Sequence, residues 1–228
     1  MKLIFIHGSG GCKESWQYQT QYFKGSEAID LPGHPEGEPC SSIADYVEWL
    51  HQFVTARGDT DLVIIGHSLG GGIALLYGLK YPKNVKGLIC VGSGARLRVH
   101  PMFLEGLEKA IAAKENTQAF TESSLSLVDP ELAKIIARRM EENGLAVMLN
   151  DLRACDQFDI MDRLGEIDIP LLAISATDDV MTPPKYSQYL ADHMKNARAV
   201  IIQEGTHLVF AEKPEEFNRA VEKFIELL

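Results

Sequence analysis

The sequence predicts an α/β protein: a mostly parallel sheet of about six strands with helices on both faces, interrupted by an all-helical insertion. Three observations carry this. Short apolar runs such as Leu62 to Ile65 and Gly87 to Val91 are of the kind that forms strands buried on both faces. They alternate with stretches whose apolar residues fall at helical spacing, and that alternation is the mark of a parallel sheet. From about Arg96 to Gly165 the rhythm breaks and only helical patterns remain. Residues 1–95 and 166–228 therefore read as one core, and 96–165 as a helical cap inserted between core strands. A chain of 228 residues is long enough for one sizeable core with such an insertion.

Lys2 to Ile6 is the first strand, and it delivers the loop His7-Gly8-Ser9-Gly10-Gly11. This loop has neither the spacing of a dinucleotide-binding fingerprint nor the lysine of a phosphate-binding loop. Its free backbone N–H groups are better suited to surround an oxyanion, with the Ser9 N–H foremost. Glu27 to Leu31 is a short strand ending in Asp30-Leu31-Pro32-Gly33-His34. Ser42-Ile43-Ala44-Asp45 resembles a capping box, opening a helix whose Ile43, Tyr46, Val47, Leu50 and Phe53 share one face. Leu62 to Ile65 then runs straight into Gly66-His67-Ser68-Leu69-Gly70, and Ile73 to Tyr81 is helical. Strand, sharp turn, helix is the setting in which G-x-S-x-G makes a nucleophile elbow. Glycines two before and two after the serine give the turn its room. The Ser68 hydroxyl then stands clear of the sheet, with the Leu69 N–H aimed at the reacting oxygen.

Gly87 to Val91 is followed by the helical stretch. Leu104, Leu107 and Ile111 make one stripe. Asp129-Pro130 supplies an N-cap and a first-turn proline for a helix carrying Leu132, Ile135, Ile136 and Met140, which Asn143-Gly144 is expected to end. Leu145, Met148, Leu149 and Leu152 form a further face. Alternation resumes with a strand over Ile169 to Ile174, which empties into Thr177-Asp178-Asp179-Val180-Met181-Thr182-Pro183. A helix over Pro184 to Met194 and a last strand over Ala199 to Ile202 lead to Glu204-Gly205-Thr206-His207, and Pro214 starts a closing helix.

Composition narrows the function classes. A net charge of −10 argues against nucleic acid or an anionic membrane as partner. No apolar segment approaches bilayer length, and Leu3 to Ile6 is too short for the core of a signal peptide. The four cysteines, Cys12, Cys40, Cys90 and Cys155, are scattered without a C-x-x-C pair, so reduced thiols and a cytoplasmic location are expected. No His/Asp/Glu spacing suggests a metal, and no cofactor is implied.

In an open parallel sheet, functional groups gather beyond the carboxyl ends of the strands. The polar residues expected there are Ser9, Ser68, Ser93, Asp178 or Asp179, and His207. A hydroxyl nucleophile needs a base, and the base needs an anion to hold its tautomer. Ser68, an aspartate and His207 fill those roles in the order Ser, Asp, His. His7-Gly8, Asp30-Leu31-Pro32-Gly33-His34, Gly66 to Gly70, Ala176 to Pro183 and Gly205-Thr206-His207 together resemble the serine hydrolases of the α/β-hydrolase superfamily, over essentially the whole chain outside the cap. The resemblance implies Ser68 as nucleophile, His207 as general base then acid, and the N–H groups of Ser9 and Leu69 as oxyanion hole. Aligned on Pro183, it favours Asp179 over Asp178 as the third member.

Three departures from the family pattern stand out. Pro35 occupies the place of a common second glycine, Ala176 that of another, and the one or two strands that often precede the first are absent. The other histidines carry less weight: His67 is expected to pack below the elbow, His34 to be structural, and His51, His100 and His193 to be surface or packing residues. Cys12 reads as a buried small residue; Arg96, Arg98, Arg138 and Arg139 could steer an acidic substrate but read rather as solvated cap surface. The implied activity is hydrolysis of small to medium carboxylic esters through an acyl-enzyme. Thioesterase, lactonase and carbon–carbon bond hydrolase stay open, as does a ligand receptor of low turnover on the same fold. An apolar cap face could pair two chains as a homodimer.

Overall fold

The computed structural model describes all of residues 1–228. Strands β1 (Lys2–Ile6), β2 (Glu27–Ile29), β3 (Leu62–His67), β4 (Val85–Val91), β5 (Leu171–Ala176) and β6 (Ala197–Ile202) form one sheet in the order β2-β1-β3-β4-β5-β6. Every neighbouring pair is parallel. The six-stranded expectation is met. Two-residue periodicity sorts the side chains: Ile4, Leu62, Ile64, Leu88 and Ala173 enter one core, while Phe5, Val63, Ile65, Ile89 and Ile174 enter the other. β3 and β5 are buried along their whole length, as continuous apolar strands require.

Helices α1 (Gln17–Tyr22), α2 (Ile43–Ala56), α3 (Leu69–Lys80), α4 (Pro101–Ala112), α5 (Gln118–Ser124), α6 (Pro130–Asp156), α7 (Lys185–His193), α8 (Val209–Glu212) and α9 (Pro214–Ile225) complete the chain. Ile43, Tyr46, Val47, Leu50 and Val54 of α2 cover one face together with α3 and Leu190 of α7. Trp16 and the α9 residues Phe217, Val221 and Phe224 cover the other. Ser42 caps α2 by accepting from the Asp45 N–H at 3.1 Å. The reciprocal half of a capping box is replaced by the Ser41 and Ser42 hydroxyls, which donate to the Asp45 carboxylate at 2.8 and 2.7 Å.

Several boundaries differ from the sequence reading. β4 starts at Val85 rather than Gly87 and β6 at Ala197 rather than Ala199. β5 starts at Leu171, leaving Pro170 just outside it with its carbonyl accepting from the Leu88 N–H at 2.9 Å. Helices α4, α5 and α6 lie between β4 and β5, as the broken alternation predicts. As expected, a helix ends at Asn143-Gly144, and the span α6 is two helices joined across a kink there. Gly144 alone leaves helical geometry (φ 80°, ψ 163°), and α6 resumes beyond it. A φ of that sign suits glycine, so the residue can stop the first helix and bend the chain into the second. The bend turns Leu145, Met148, Leu149 and Leu152 onto Leu107 and Ala110 of α4, forming a small third core.

The strand order reverses across β1 and β3, and ligands of open α/β sheets bind at such a switch point, outside the strand carboxyl ends. The loops leaving β1 and β3 are the ones carrying Ser9 and Ser68.

Candidate active site

The β3–α3 turn is held in a strained shape. Ser68 has φ 51° and ψ −113°, outside the comfortable region for a side-chain-bearing residue. What makes room is the absence of a side chain at Gly66, where a Cβ would stand 1.9 Å from the Gly70 carbonyl oxygen. The Ser93 hydroxyl, delivered by the end of β4, donates to the Ser68 carbonyl at 2.8 Å and steadies the turn from below.

His207 follows β6 and Asp179 follows β5. His207 Nδ1 lies 2.8 Å from Asp179 Oδ2. Asp179 is nearly fully buried, and its second oxygen, Oδ1, accepts from the Met181 and Thr182 N–H groups at 2.9 Å each. The Thr182 hydroxyl donates to Oδ2 at 2.8 Å. Burial alone would raise this carboxyl, but the hydrogen bond and charge of His207, with the donors of Thr182, outweigh it and hold the group well below the usual carboxylate range. An ionised Asp179 accepts only, so the Nδ1 of His207 carries the proton and Nε2 is the basic nitrogen. Asp178, its neighbour, is exposed.

His67 lies between these parts. Its Nε2 is 2.9 Å from the His207 carbonyl oxygen, and the two rings are 4.5 Å apart, centroid to centroid. Burial, then the proximity of His207, keeps His67 neutral by lowering its pKa well below the ordinary value. Ser68 and His207 line the same cavity, and Ser68 Oγ makes no hydrogen bond within the protein.

The loop after β1 supplies donors. His7 is buried, and its Nε2 accepts from the Leu31 N–H at 3.0 Å, which leaves Nδ1 to donate to the Gly8 carbonyl at 2.8 Å. Burial, followed by repulsion from His34, lowers His7 to about 4, so this tautomer is neutral at ordinary pH. The Gly11 N–H also donates to the Gly8 carbonyl, at 3.0 Å. A trans peptide points its N–H opposite to its C=O. Fixing the Gly8 carbonyl therefore aims the Ser9 N–H, which donates to no protein acceptor. The Leu69 N–H, as the first of α3, has no partner inside its own helix.

Above these groups is a cavity of about 530 Å³, within the range of small-molecule sites. Phe103, Phe120, Ile136, Met140, Met148 and Leu152, all from α4, α5 and α6, supply much of its wall. No lysine or arginine lines it. No cluster of three or more His, Cys, Asp or Glu side chains is arranged to hold a metal ion, and no helix is long and apolar enough to cross a membrane.

A sequence model of the alpha/beta hydrolase family matches residues 3–220. The chain belongs to that family. This alpha/beta hydrolase is 28% identical to a pimeloyl-[acyl-carrier protein] methyl ester esterase of Neisseria meningitidis, with 99% of this chain and 93% of the relative covered. A solved thermophilic esterase shares 32% identity at a TM-score of 0.83, covering 98% of this chain and 89% of the other. A lipase-esterase related protein from Clostridium acetobutylicum shares 27% at a TM-score of 0.84, covering 98% and 93%.

The remaining residues that the sequence singles out in this hydrolase divide clearly. His34 is buried and does not line the cavity; its Nε2 sits 2.9 Å from Asp151 Oδ2. His51 stacks on Tyr81, His193 on Tyr189, and His100 caps α4. Cys12 is fully buried, its thiol pushed up to about 12 chiefly by desolvation. Arg139 departs from the solvated-surface reading. It is largely buried, and its guanidinium joins Glu14 at 3.1 Å, Asp30 at 3.0 Å and Glu142 at 3.0 Å. Sequence reasoning missed Asn143, Asp151 and Tyr46 as parts of a polar network. The one available signal was a lone aspartate among the apolar residues Met148, Leu149 and Leu152.

Proposed function

We propose that this enzyme, an ester-cleaving hydrolase, is a serine carboxylesterase acting on esters of small to medium, uncharged acyl groups. Ser68 is its nucleophile, Asp179 and His207 complete the triad, and the N–H groups of Ser9 and Leu69 form the oxyanion hole. The observation that carries the reading is the His207–Asp179 pair at 2.8 Å on the wall of the cavity that also exposes Ser68. With Nδ1 tied to Asp179, His207 Nε2 takes the proton of Ser68 as Oγ attacks the ester carbonyl. The carbonyl oxygen becomes an oxyanion within reach of two unspent N–H donors. Collapse expels the alcohol, which receives the proton from His207. Water, deprotonated by the same nitrogen, then releases the acid and regenerates Ser68.

Helices α4 to α6 act as the cap, residues 96–165, over the core formed by 1–95 and 166–228. The cap's apolar wall and its lack of a cation support an uncharged acyl chain. A buried carboxylate without a partner costs several kcal/mol. The relatives named as esterases support the reaction class. The decisive experiment combines p-nitrophenyl esters of rising chain length with a fluorophosphonate probe. Ester turnover and labelling at Ser68 are expected, and Ser68→Ala should abolish labelling and lower kcat by about four to six orders of magnitude. A wild-type protein that neither turns over nor labels would end the proposal in favour of a ligand receptor.

A further inference from the structure

Several buried polar side chains have no part in that chemistry, yet they meet at the loop carrying Ser9. Two of them lie on α6, on either side of its Gly144 bend. Asp151 is fully buried, and its Oδ2 accepts from the Gly10 N–H at 2.9 Å and from His34 Nε2 at 2.9 Å. Its Oδ1 accepts from the Tyr46 hydroxyl at 2.7 Å. Asn143 donates from Nδ2 to the carbonyls of Gly10 and Gly11, at 3.0 and 2.7 Å. Met148, between them on the helix, leaves so little room that a Cβ at Gly10 would stand 3.0 Å from its own Cβ.

Asn143 holds this position at a cost. Its Oδ1 is buried without a hydrogen-bond partner, which disfavours the folded state by about 1–3 kcal/mol. Turning the amide over would aim that oxygen at two carbonyl oxygens. An apolar side chain would avoid the penalty and lose only the two bonds to the loop, so those bonds are what the amide contributes.

We propose that Asn143 and Asp151 are positioning residues for the oxyanion hole. They hold the peptide planes on the C-terminal side of Ser9 while His7 holds the plane on its N-terminal side. The Ser9 N–H is thereby aimed before substrate arrives. This rests on the serine-hydrolase reading above. A loop containing Gly8, Gly10 and Gly11 has wide conformational freedom when unrestrained. A donor that must first be ordered returns less to the transition state than one already fixed. The helical insertion thus tunes the rate of the chemistry as well as enclosing the acyl group.

The test compares Asn143→Ala and Asp151→Ala with Arg139→Ala. Arg139 also ties α6 to the core, through Glu14, Asp30 and the His34 carbonyl, but makes no hydrogen bond or ion pair with residues 8–11. Asp151→Ala removes both acceptors and leaves the Gly10 N–H without its partner. Full loss of one oxyanion donor lowers kcat by about 10²–10³, and misaiming one should cost part of that, about 10–100-fold. Both loop-contacting variants should show this fall with KM changed less than about threefold. Affinity for a trifluoromethyl ketone, whose carbonyl becomes an oxyanion when Ser68 adds to it, should fall by the same factor as kcat/KM. Arg139→Ala should lower the melting temperature while kcat and ketone affinity stay within about twofold. Folded Asn143→Ala protein with full kcat, or with raised KM alone, overturns the proposal. So does an Arg139→Ala variant that loses kcat as heavily. Should Asp151→Ala fail to fold, Asn143→Ala decides alone. A wild type without turnover or labelling overturns the underlying reading instead, and is recognised before any variant is made.

Discussion

Replacing Asp179 with asparagine changes one atom, and the structure says which nitrogen of His207 will feel it. Oδ1 of Asp179 accepts from two backbone N–H groups, of Met181 and Thr182, which cannot turn away. The asparagine oxygen must stay there, so its NH₂ takes the place of Oδ2, facing His207 Nδ1. That nitrogen must then accept, which moves the ring proton to Nε2 and leaves nothing basic toward Ser68. Such tautomer reversal in a serine triad lowers kcat by about 10⁴, equivalent to ~5.4 kcal/mol of barrier. Asp178→Asn, on an exposed side chain one residue away, should cost a few-fold at most. Steady-state hydrolysis of p-nitrophenyl butyrate at pH 8 separates the two, with circular dichroism confirming that both variants fold. Equal losses, or a greater loss at Asp178, would refute the assignment of the acid and the inferred His207 tautomer together.

Two further outcomes follow from the same geometry. His7 is lowered to about 4 in the folded chain, against about 6.5 when unfolded, so between those values the unfolded state binds the extra proton. Stability contributed by neutral His7 is complete above about pH 6.5 and falls by roughly 1.4 kcal/mol per pH unit toward pH 4. His67, lowered still further, adds in the same direction. Urea melts at pH 7.5 and 5.0 should show this loss, and a flat profile would exclude it. The cavity wall, free of lysine and arginine, should discriminate against charge: a p-nitrophenyl ester whose acyl chain ends in a carboxylate should have a kcat/KM at least about 100-fold below its uncharged methyl-ended counterpart, from a burial penalty of ~3 kcal/mol or more. Comparable rates for the two would show that the acyl end reaches solvent.

The local parts of this molecule were legible because their signals are local. Gly66 and Gly70 around Ser68 report a turn that a Cβ would block, and the apolar runs of β1, β3, β4 and β5 need no partner to be recognised. The choice between Asp178 and Asp179 came from alignment on Pro183. Asp179 is also the one of the two held by the buried donors of Thr182. What stayed hidden were long-range pairings. Asp151 meets Gly10, His34 and Tyr46 across more than a hundred residues of chain, and no spacing rule announces such a meeting. Arg139 looked like one more solvated cation on a polar helix face, because its carboxylate partners Glu14 and Asp30 sit in a distant loop. The helix end at Asn143-Gly144, where the chain bends, is by contrast a local glycine signal and was legible.

That bend has a bearing on protein engineering. Loops and lids are usually exchanged between related enzymes to alter what they accept, on the assumption that the grafted piece is a passive container. Here one helical segment, kinked at Gly144, both forms the container wall and reaches down to the loop after β1. A chimera carrying a foreign segment in place of α6 would inherit new selectivity together with a re-tuned turnover. Designers who wish to change only the first should carry Asn143, Gly144 and Asp151 across unchanged.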